Sequence, residues 1–114
     1  MTEHELQNQI RVALSQYGLV FRTNSGAFWQ GRRVYVPQLG GMVLTDLSRI
    51  EGLPEGFSDL LFVDAHGCAF IEVKAKGGRL SAAQKKFLDR VQAMGHRAGV
   101  ARSVADAVQI VQGG

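Results

Sequence analysis

The stretch FSDLLFVDAHGCAFIEVKA, residues 57–75, contains two apolar segments on either side of a short polar turn. Short apolar runs rich in Val, Ile and Phe, bounded by turn residues, are typical of β-strands. We therefore predict two strands, FSDLLFVD and CAFIEVKA, joined by a turn at Ala65-His66-Gly67. This hairpin is the clearest structural signal in the chain.

The charges of the second strand fall on one side of it. Because side chains alternate between the two faces of a strand, Glu72, Lys74 and Lys76 share one face, and Ile71 and Val73 lie on the other. Either the charged face is hydrated, or it carries a site that needs a carboxylate and an ammonium close together.

The hairpin brings a further carboxylate to the same face. A two-residue loop at His66-Gly67 places Lys74 opposite Asp59, with Glu72 one diagonal step away. All three side chains then converge on one face. A four-residue loop would keep this arrangement, whereas a three-residue loop would break it.

Two carboxylates and a lysine in one place indicate metal chemistry. The two carboxylates would repel each other unless a cation lay between them, and Mg²⁺ or Mn²⁺ suits such oxygen ligands. Lys74 would then stabilise a developing negative charge or position a water, as metal-assisted hydrolysis of a phosphodiester requires. The alternative is that Glu72 and Lys74 form an ordinary surface pair and Asp59 only begins a strand.

The totals describe one domain, residues 1–114, with a formal net charge of +3. A single cysteine, Cys68, excludes an internal disulfide. No apolar run approaches the roughly 20 residues of a membrane helix, and the acidic N-terminus is unlike a signal peptide. We expect a soluble cytoplasmic protein of a bacterial or phage-infected cell, without membrane contact.

The second half of the chain is basic. Between residues 70 and 102 the only acids are Glu72 and Asp89. The basic residues there are Lys74, Lys76, Arg79, Lys85, Lys86, Arg90, Arg97 and Arg102. This distribution favours a polyanionic partner, although a solvated basic surface is equally compatible with the charge alone.

Three helices and two further strands complete the prediction. Capping signals begin the helices at Thr2, Ser81 and Ser103, and strands are expected over residues 19–23 and 96–103. The first helix should continue to Gly18, with Tyr17 on its apolar stripe, and the second should bury the apolar residues Leu80, Phe87, Val91 and Met94. The order of elements predicts an α/β fold with a central mixed sheet flanked by helices.

The middle of the chain has a poor pattern. For residues 24–41 we expect a hairpin around Gln30-Gly31, and for residues 44–56 a helical turn and loop. Phe28 and Trp29 are candidates for stacking on nucleotides, or for core or dimer contacts.

Asp59, Glu72 and Lys74 match the D…E-x-K signature of the PD-(D/E)XK nucleases. More of the chain resembles the VRR-NUC domain, the compact virus-type and bacterial branch of that superfamily. The similar stretches are FRTNSG, GFSDLLFV, FIEVKAKGGRLSAAQKKFL and GHRAGVARSVADAV. The resemblance implies a restriction-endonuclease-like single domain.

The resemblance also implies the roles of several residues. Asp59 and Glu72 would be ligands of Mg²⁺ or Mn²⁺, the backbone carbonyl of Val73 a third ligand, and Lys74 the catalytic lysine. Gln84 occupies the place of the glutamine that the family carries on the following helix. It could equally complete a capping box with Ser81, and the two roles compete for one side chain.

Related nucleases commonly add a carboxylate from the first helix. Glu5 is accounted for by capping with Thr2, whereas Glu3 shares the apolar stripe that faces the sheet, so we assign Glu3.

Other residues receive supporting roles. Arg22 and Asn24, in the family-like R-x-N-x-G stretch, are expected to support the site or bind phosphate. Three basic residues are assigned to nucleic-acid binding: Lys76, Arg79 and Lys85. Three small residues are expected to act structurally, as in the tight turn before Asp59: Gly26, Gly56 and Ser58.

These observations predict a metal-dependent endonuclease that cuts DNA. The resemblance suggests a homodimer acting on branched DNA such as four-way junctions, with residues 28–55 as the candidate interface. One alternative is a non-catalytic nucleic-acid-binding module with the same fold. Another is a phage packing or assembly protein whose charged strand is only solvated.

Overall fold

The computed structural model of the protein describes residues 1–113. Within that range it contains three helices and six strands. In chain order these are α1 (Glu3–Leu14), β1 (Leu19–Arg22), β2 (Ala27–Val36), β3 (Gly41–Glu51), β4 (Leu60–Asp64), β5 (Gly67–Val73), α2 (Ala82–Ala93), β6 (Arg97–Ala101) and α3 (Val104–Val111).

Four strands form the central sheet, in the order β1-β4-β5-β6. The β1–β4 and β4–β5 pairs are antiparallel, and β5 and β6 run parallel, so the sheet is mixed as predicted. No helix within residues 1–113 is long and apolar enough to span a membrane.

One face of the sheet is covered by α1 and α3. Alternate residues of β4 and β5 are fully buried against them, because period-2 strands and period-3.6 helices each present one apolar side. The buried residues are Leu6, Ile10, Leu14, Leu60, Phe62, Ala69, Ile71, Val73, Ala101, Ala107 and Val111.

The other face is covered by α2. Phe70 projects there and packs against Phe87 of α2, with ring centroids 5.6 Å apart. Leu88 and Val91 are the buried residues of this helix. The prediction that Met94 lies on the core face was wrong: Met94 is 63% exposed, because α2 ends at Ala93 and Met94 is only its C-cap residue.

All three helix starts are confirmed. Thr2 and Ser81 each begin a reciprocal capping box, and the Ser103 side chain accepts a hydrogen bond from the Asp106 N–H.

The end of α1 differs from the prediction. The helix stops at Leu14, and Tyr17 is exposed rather than on the apolar stripe. Gly18 has a different role from the expected helix stop. A Cβ there would lie 2.5 Å from the Val63 carbonyl oxygen and 2.7 Å from the Phe62 ring. Glycine therefore lets the chain enter β1 close to β4.

The β4–β5 hairpin turns one position earlier than expected. Asp64 pairs with Gly67, so the loop consists of Ala65 and His66. The His66 N–H donates to Asp64 Oδ1 at 2.9 Å, which stabilises the turn. The loop still has an even length, so the predicted sharing of faces across the hairpin is retained.

The middle region was predicted wrongly. Residues 27–51 form one long antiparallel hairpin of β2 and β3, and the turn lies at residues 37–40 rather than at Gln30-Gly31. Of the stretch expected to be a helical turn and loop, residues 44–51 belong to β3, and residues 52–56 form the expected loop. A register shift between Gln30 and Arg32 and a positive φ of 54° at Asp46 interrupt the alternation that would have marked both strands.

Candidate active site

The polar site lies where β4 begins and β5 ends. Continuing the β4–β5 register past Leu60↔Ile71 places Asp59 opposite Glu72, rather than opposite Lys74 as first expected. Directly opposite residues project to the same face, so Asp59, Glu72 and Lys74 come together on the α2 side of the sheet.

Asp59 is held by the backbone around it. Gly56, at φ +92°, passes so close to α2 that a Cβ would lie 2.7 Å from the Ala83 backbone. Ser58 is fully buried, and its hydroxyl donates to the Leu60 carbonyl at 3.1 Å. The structural roles expected for Gly56 and Ser58 agree with these contacts.

Val73 connects Asp59 to the end of β5. The Val73 N–H donates to Asp59 Oδ2 at 2.9 Å. In a β-strand the N–H and C=O of one residue point to the same side. The Val73 carbonyl therefore faces the Asp59 side as well, where a third oxygen ligand was expected.

Glu72 is the most enclosed charged residue of the site, with 1% of its surface exposed. Its Oε1 accepts a hydrogen bond from Gln84 Nε2 at 3.0 Å and lies 4.0 Å from Lys74 Nζ. Its Oε2 is buried and has no hydrogen-bond partner among the described residues. A buried carboxylate oxygen without a donor is costly, so this atom suits a cation.

Gln84 makes the contacts expected of both roles, the cap of α2 and the site at Glu72. Its Oε1 accepts from the Ser81 N–H at 2.8 Å, which completes the capping box of α2. Its Nε2 donates to Glu72. The side-chain amide has an acceptor and a donor at opposite corners, so the two roles do not compete.

The environment raises the pKa of Glu72 to about 8. Burial is the largest cause, followed by the side chain and charge of Asp59, and Lys74 opposes the shift. Without a cation, the pair of carboxyls therefore retains a proton at neutral pH. This is the behaviour of a site that needs positive charge between its two acids.

The oxygen donors fit a hard divalent cation. Asp59, Glu72 and the Val73 carbonyl supply oxygen atoms only, as Mg²⁺ and Mn²⁺ prefer. Among residues 1–113 there is no group of three or more His, Cys, Asp or Glu side chains that could hold a metal ion. The fit therefore depends on two carboxylates, a backbone carbonyl and water.

The comparison with protein-family models gives one match. The model of the VRR-NUC domain matches residues 1–105. The chain belongs to the VRR-NUC family. A search of curated proteins found no match to it.

Family membership identifies this VRR-NUC chain as a nuclease domain and confirms the resemblance noted in its sequence. A nuclease domain of this family implies that the substrate is DNA. The fold, a mixed sheet flanked by helices, agrees with the restriction-endonuclease-like architecture of the family.

Glu3 and Glu5 have separate positions on α1. Glu5 Oε2 accepts from the Thr2 N–H at 3.3 Å, so the capping role of Glu5 is confirmed. Glu3 is exposed, and its charge is close enough to contribute to the raised pKa of Glu72. The structure does not bring Glu3 into contact with Asp59 or Glu72, and its role in this VRR-NUC site stays a prediction.

The residues assigned to nucleic acid are exposed, but they do not form one group. Arg22 pairs with Leu60 in the β1–β4 register. Its side chain therefore projects from the face of the sheet opposite to that of Asp59. Asn24 lies at the base of the β2–β3 hairpin, where its carbonyl accepts from the Leu53 N–H. Lys85 forms an ion pair with Asp89 at 3.1 Å.

Lys76 and Arg79 lie together just beyond Lys74, in the segment that follows β5. Of the five assigned residues, these two follow Lys74 most closely along the chain beyond the end of β5.

Sequence reasoning missed Thr23. Its N–H donates to the Asp59 carbonyl at 2.9 Å, and its hydroxyl donates to the Ser58 carbonyl. Arg22 and Asn24 were selected from the same stretch because they form its family-like R-x-N-x-G pattern. The pairing of β1 with β4 was the missing information, because it alone places Thr23 beside Asp59.

Proposed function

We propose that this VRR-NUC chain is a metal-dependent endonuclease that hydrolyses DNA phosphodiesters with Mg²⁺ or Mn²⁺. One observation carries the proposal: Glu72 is buried beside Asp59 and Lys74, and its Oε2 has no hydrogen-bond partner among the described residues. A purely structural sheet end would not place two acids in contact beneath a basic surface.

Asp59, Glu72 and the Val73 carbonyl would hold the metal ion. When bound, it polarises the scissile phosphate and lowers the pKa of an attacking water. The Val73 N–H keeps the Asp59 carboxylate oriented, and Gln84 does the same for Glu72. These contacts fix the ligands before the metal arrives, which lowers the cost of binding.

Lys74 is the residue placed to act on the phosphate. Its side chain is 13% exposed, so the ammonium is partly shielded from water yet can reach a ligand at the surface. We assign it to stabilise the charge that develops on the phosphate as water attacks and the P–O bond breaks. The leaving oxygen takes up a proton from solvent.

We further propose that the enzyme acts as a homodimer, with β2 and β3 as the interface. These strands pair with each other and form no part of the central sheet. An isolated two-stranded hairpin is marginally stable in water. It nevertheless exposes large apolar side chains: Phe28, Trp29, Tyr35, Leu39, Met42, Leu44, Leu47 and Ile50. A second copy would bury them.

A symmetric dimer would present two identical sites to two strands. This arrangement suits a symmetric branched substrate such as a four-way DNA junction, in agreement with the resemblance of the sequence to compact nucleases of this family.

The decisive experiment is cleavage of a labelled four-way junction beside matched linear duplex, with Mn²⁺ or Mg²⁺. Wild type, Lys74→Ala and the control Lys86→Ala are compared, and binding is measured separately in Ca²⁺. We expect junction cleavage by wild type and the control, and binding without cleavage by Lys74→Ala.

The other outcomes are equally informative. Binding without cleavage by wild type under any divalent ion would favour a non-catalytic binding module. Cleavage that survives Lys74→Ala would place the active site elsewhere.

A further inference from the structure

The parallel strands β5 and β6 end side by side next to the catalytic lysine. Val73 pairs with Ala101, and the Lys74 N–H donates to the Ala101 carbonyl at 3.1 Å. Arg102 is the first residue after β6, as Lys74 is the first after β5. Because the carboxyl ends of parallel strands meet at one edge of a sheet, Arg102 emerges beside the site.

An open pocket of about 560 Å³ lies at this edge. Its lining consists of Lys76, Gly77, Gly78, Arg79 and Arg102. Gly77 and Gly78 have no side chains, so they leave open space among the three cationic residues of this lining. A concave surface with this lining is suited to an anion.

None of the three cations of this pocket has an acidic partner among the described residues, whereas several other basic residues do. Lys85 is paired with Asp89, and Arg97 with Asp64. Within the described part of the chain, Lys76, Arg79 and Arg102 form no ion pair, and no acidic residue lines the pocket. Their charge is therefore uncompensated by the protein itself.

Backbone contacts hold Arg102 in place. Its Nη1 donates to the Ala75 carbonyl at 3.1 Å, and its N–H donates to Asp106 Oδ2 at 2.9 Å. The same Ala75 carbonyl accepts from the Gly78 N–H at 2.9 Å, in a turn that requires a φ of +84° at Gly77. One corner of the guanidinium is thus anchored, and the rest of its donor fork is available to a ligand.

We propose that this pocket is a subsite for a backbone phosphate that flanks the scissile phosphate, with Arg102 as its principal positioning residue. This inference rests on the nuclease function proposed above. A guanidinium binds phosphate through two parallel hydrogen bonds, and Lys76 and Arg79 add positive charge in the same pocket lining. Holding the flanking phosphate would align the strand on Lys74.

The test measures DNA binding against salt concentration in Ca²⁺, so that no cleavage is needed. Neutralising a phosphate contact lowers the slope of log affinity against log salt by about one. We expect this loss, with about tenfold weaker binding, for Arg102→Gln. The control Arg90→Gln removes the same charge from an exposed position on α2 and should retain the wild-type slope.

Two further variants show whether a loss of binding by Arg102→Gln comes only from misfolding. Arg79→Gln removes the charge of another residue of the pocket lining, whose side chain is exposed, and should show the same loss of slope. Arg102→Lys keeps the charge but not the fork, so the slope should be retained while single-turnover cleavage falls severalfold.

The outcomes separate the subsite from the catalytic proposal. Wild-type slopes for both Arg102→Gln and Arg79→Gln would overturn the subsite, whether or not the protein cleaves DNA. A reduced slope for these variants, in a protein that cleaves DNA with neither Mg²⁺ nor Mn²⁺, would support phosphate binding here and reject the proposed nuclease activity.

Discussion

Glu72 is enclosed between the sheet and α2, and one of its oxygens receives no donor. Burial and Asp59 together raise its pKa from an ordinary 4.5 to about 8. Between these pH values the folded protein retains a proton that the unfolded chain releases. Folding stability contributed by Glu72 is therefore fully present below about pH 4.5 and is lost as pH rises through about 8.

Glu72→Gln should remove this dependence on pH. We expect metal-free wild type to lose at most about 5 kcal/mol of unfolding free energy between pH 4.5 and pH 8 through this residue. At higher pH the variant should be more stable than metal-free wild type, yet inactive. Urea denaturation in EDTA across this range measures the effect, with Glu55→Gln as an exposed control.

The same experiment with Mn²⁺ tests the metal site without an activity readout. Metal binding must displace the proton of Glu72, so wild-type affinity should rise with pH up to about 8. Stabilisation of Glu72→Gln by Mn²⁺ equal to that of wild type would contradict the assigned ligand.

At the scale of elements, the first turn of α2 connects helix formation to the site. Ser81 and Gln84 form a reciprocal capping box, and the same Gln84 amide donates to Glu72. The start of the helix therefore fixes where the amide points. One side chain therefore completes the helix cap and contacts Glu72, and mutation can separate the two contacts.

Ser81→Ala and Gln84→Ala should differ in activity but not much in stability. Each removes one half of the capping box and should cost about 1 kcal/mol of unfolding free energy. Only Gln84→Ala also releases the Glu72 carboxylate, so its cleavage rate should fall by about tenfold. Chemical denaturation and single-turnover cleavage provide the two measurements.

A comparable loss of cleavage in Ser81→Ala would mean that Gln84 acts only through the helix. Unchanged cleavage in Gln84→Ala would remove it from the active site.

For the whole molecule, the β2–β3 hairpin determines the shape. The chain measures 56 × 30 × 27 Å, and its longest dimension exceeds that of a compact domain with this number of residues. Trp29 and Tyr35 are 63% and 58% exposed on the hairpin. An exposed apolar surface of this kind is unfavourable in water. In a two-fold symmetric dimer, the same surface of a second copy would cover it.

Charge on the hairpin should dissociate the proposed dimer. Tyr35 pairs with Met42, and Leu44 lies on the same face two residues further along β3. We expect Tyr35→Lys or Leu44→Lys to produce a monomer in sedimentation velocity at concentrations where wild type is a dimer. The control Val12→Lys changes an apolar residue of α1 that is 75% exposed, and this variant should stay dimeric.

A wild type that sediments as a monomer at every concentration would reject the homodimer. It would leave the assignment of the active site untouched.

The sequence by itself determined the central sheet, the helix starts and the grouping of Asp59, Glu72 and Lys74. These features depend on short-range rules: alternation along a strand, capping within one turn, and an even loop between paired strands. The one-position error in the β4–β5 turn did no harm because the loop length stayed even. Parity, rather than exact register, decides which side chains share a face.

The tertiary structure alone decided the rest. Thr23 and Arg102 come to the site through strand pairing, between residues far apart in sequence, which no local pattern reveals. β2 and β3 show no regular alternation because neither face packs against the core of the same chain, and the register shift between Gln30 and Arg32 interrupts the pattern further. Local sequence patterns were enough to predict the two acids. The contacts that position them, such as that of Thr23 with Asp59, depend on pairing between distant strands.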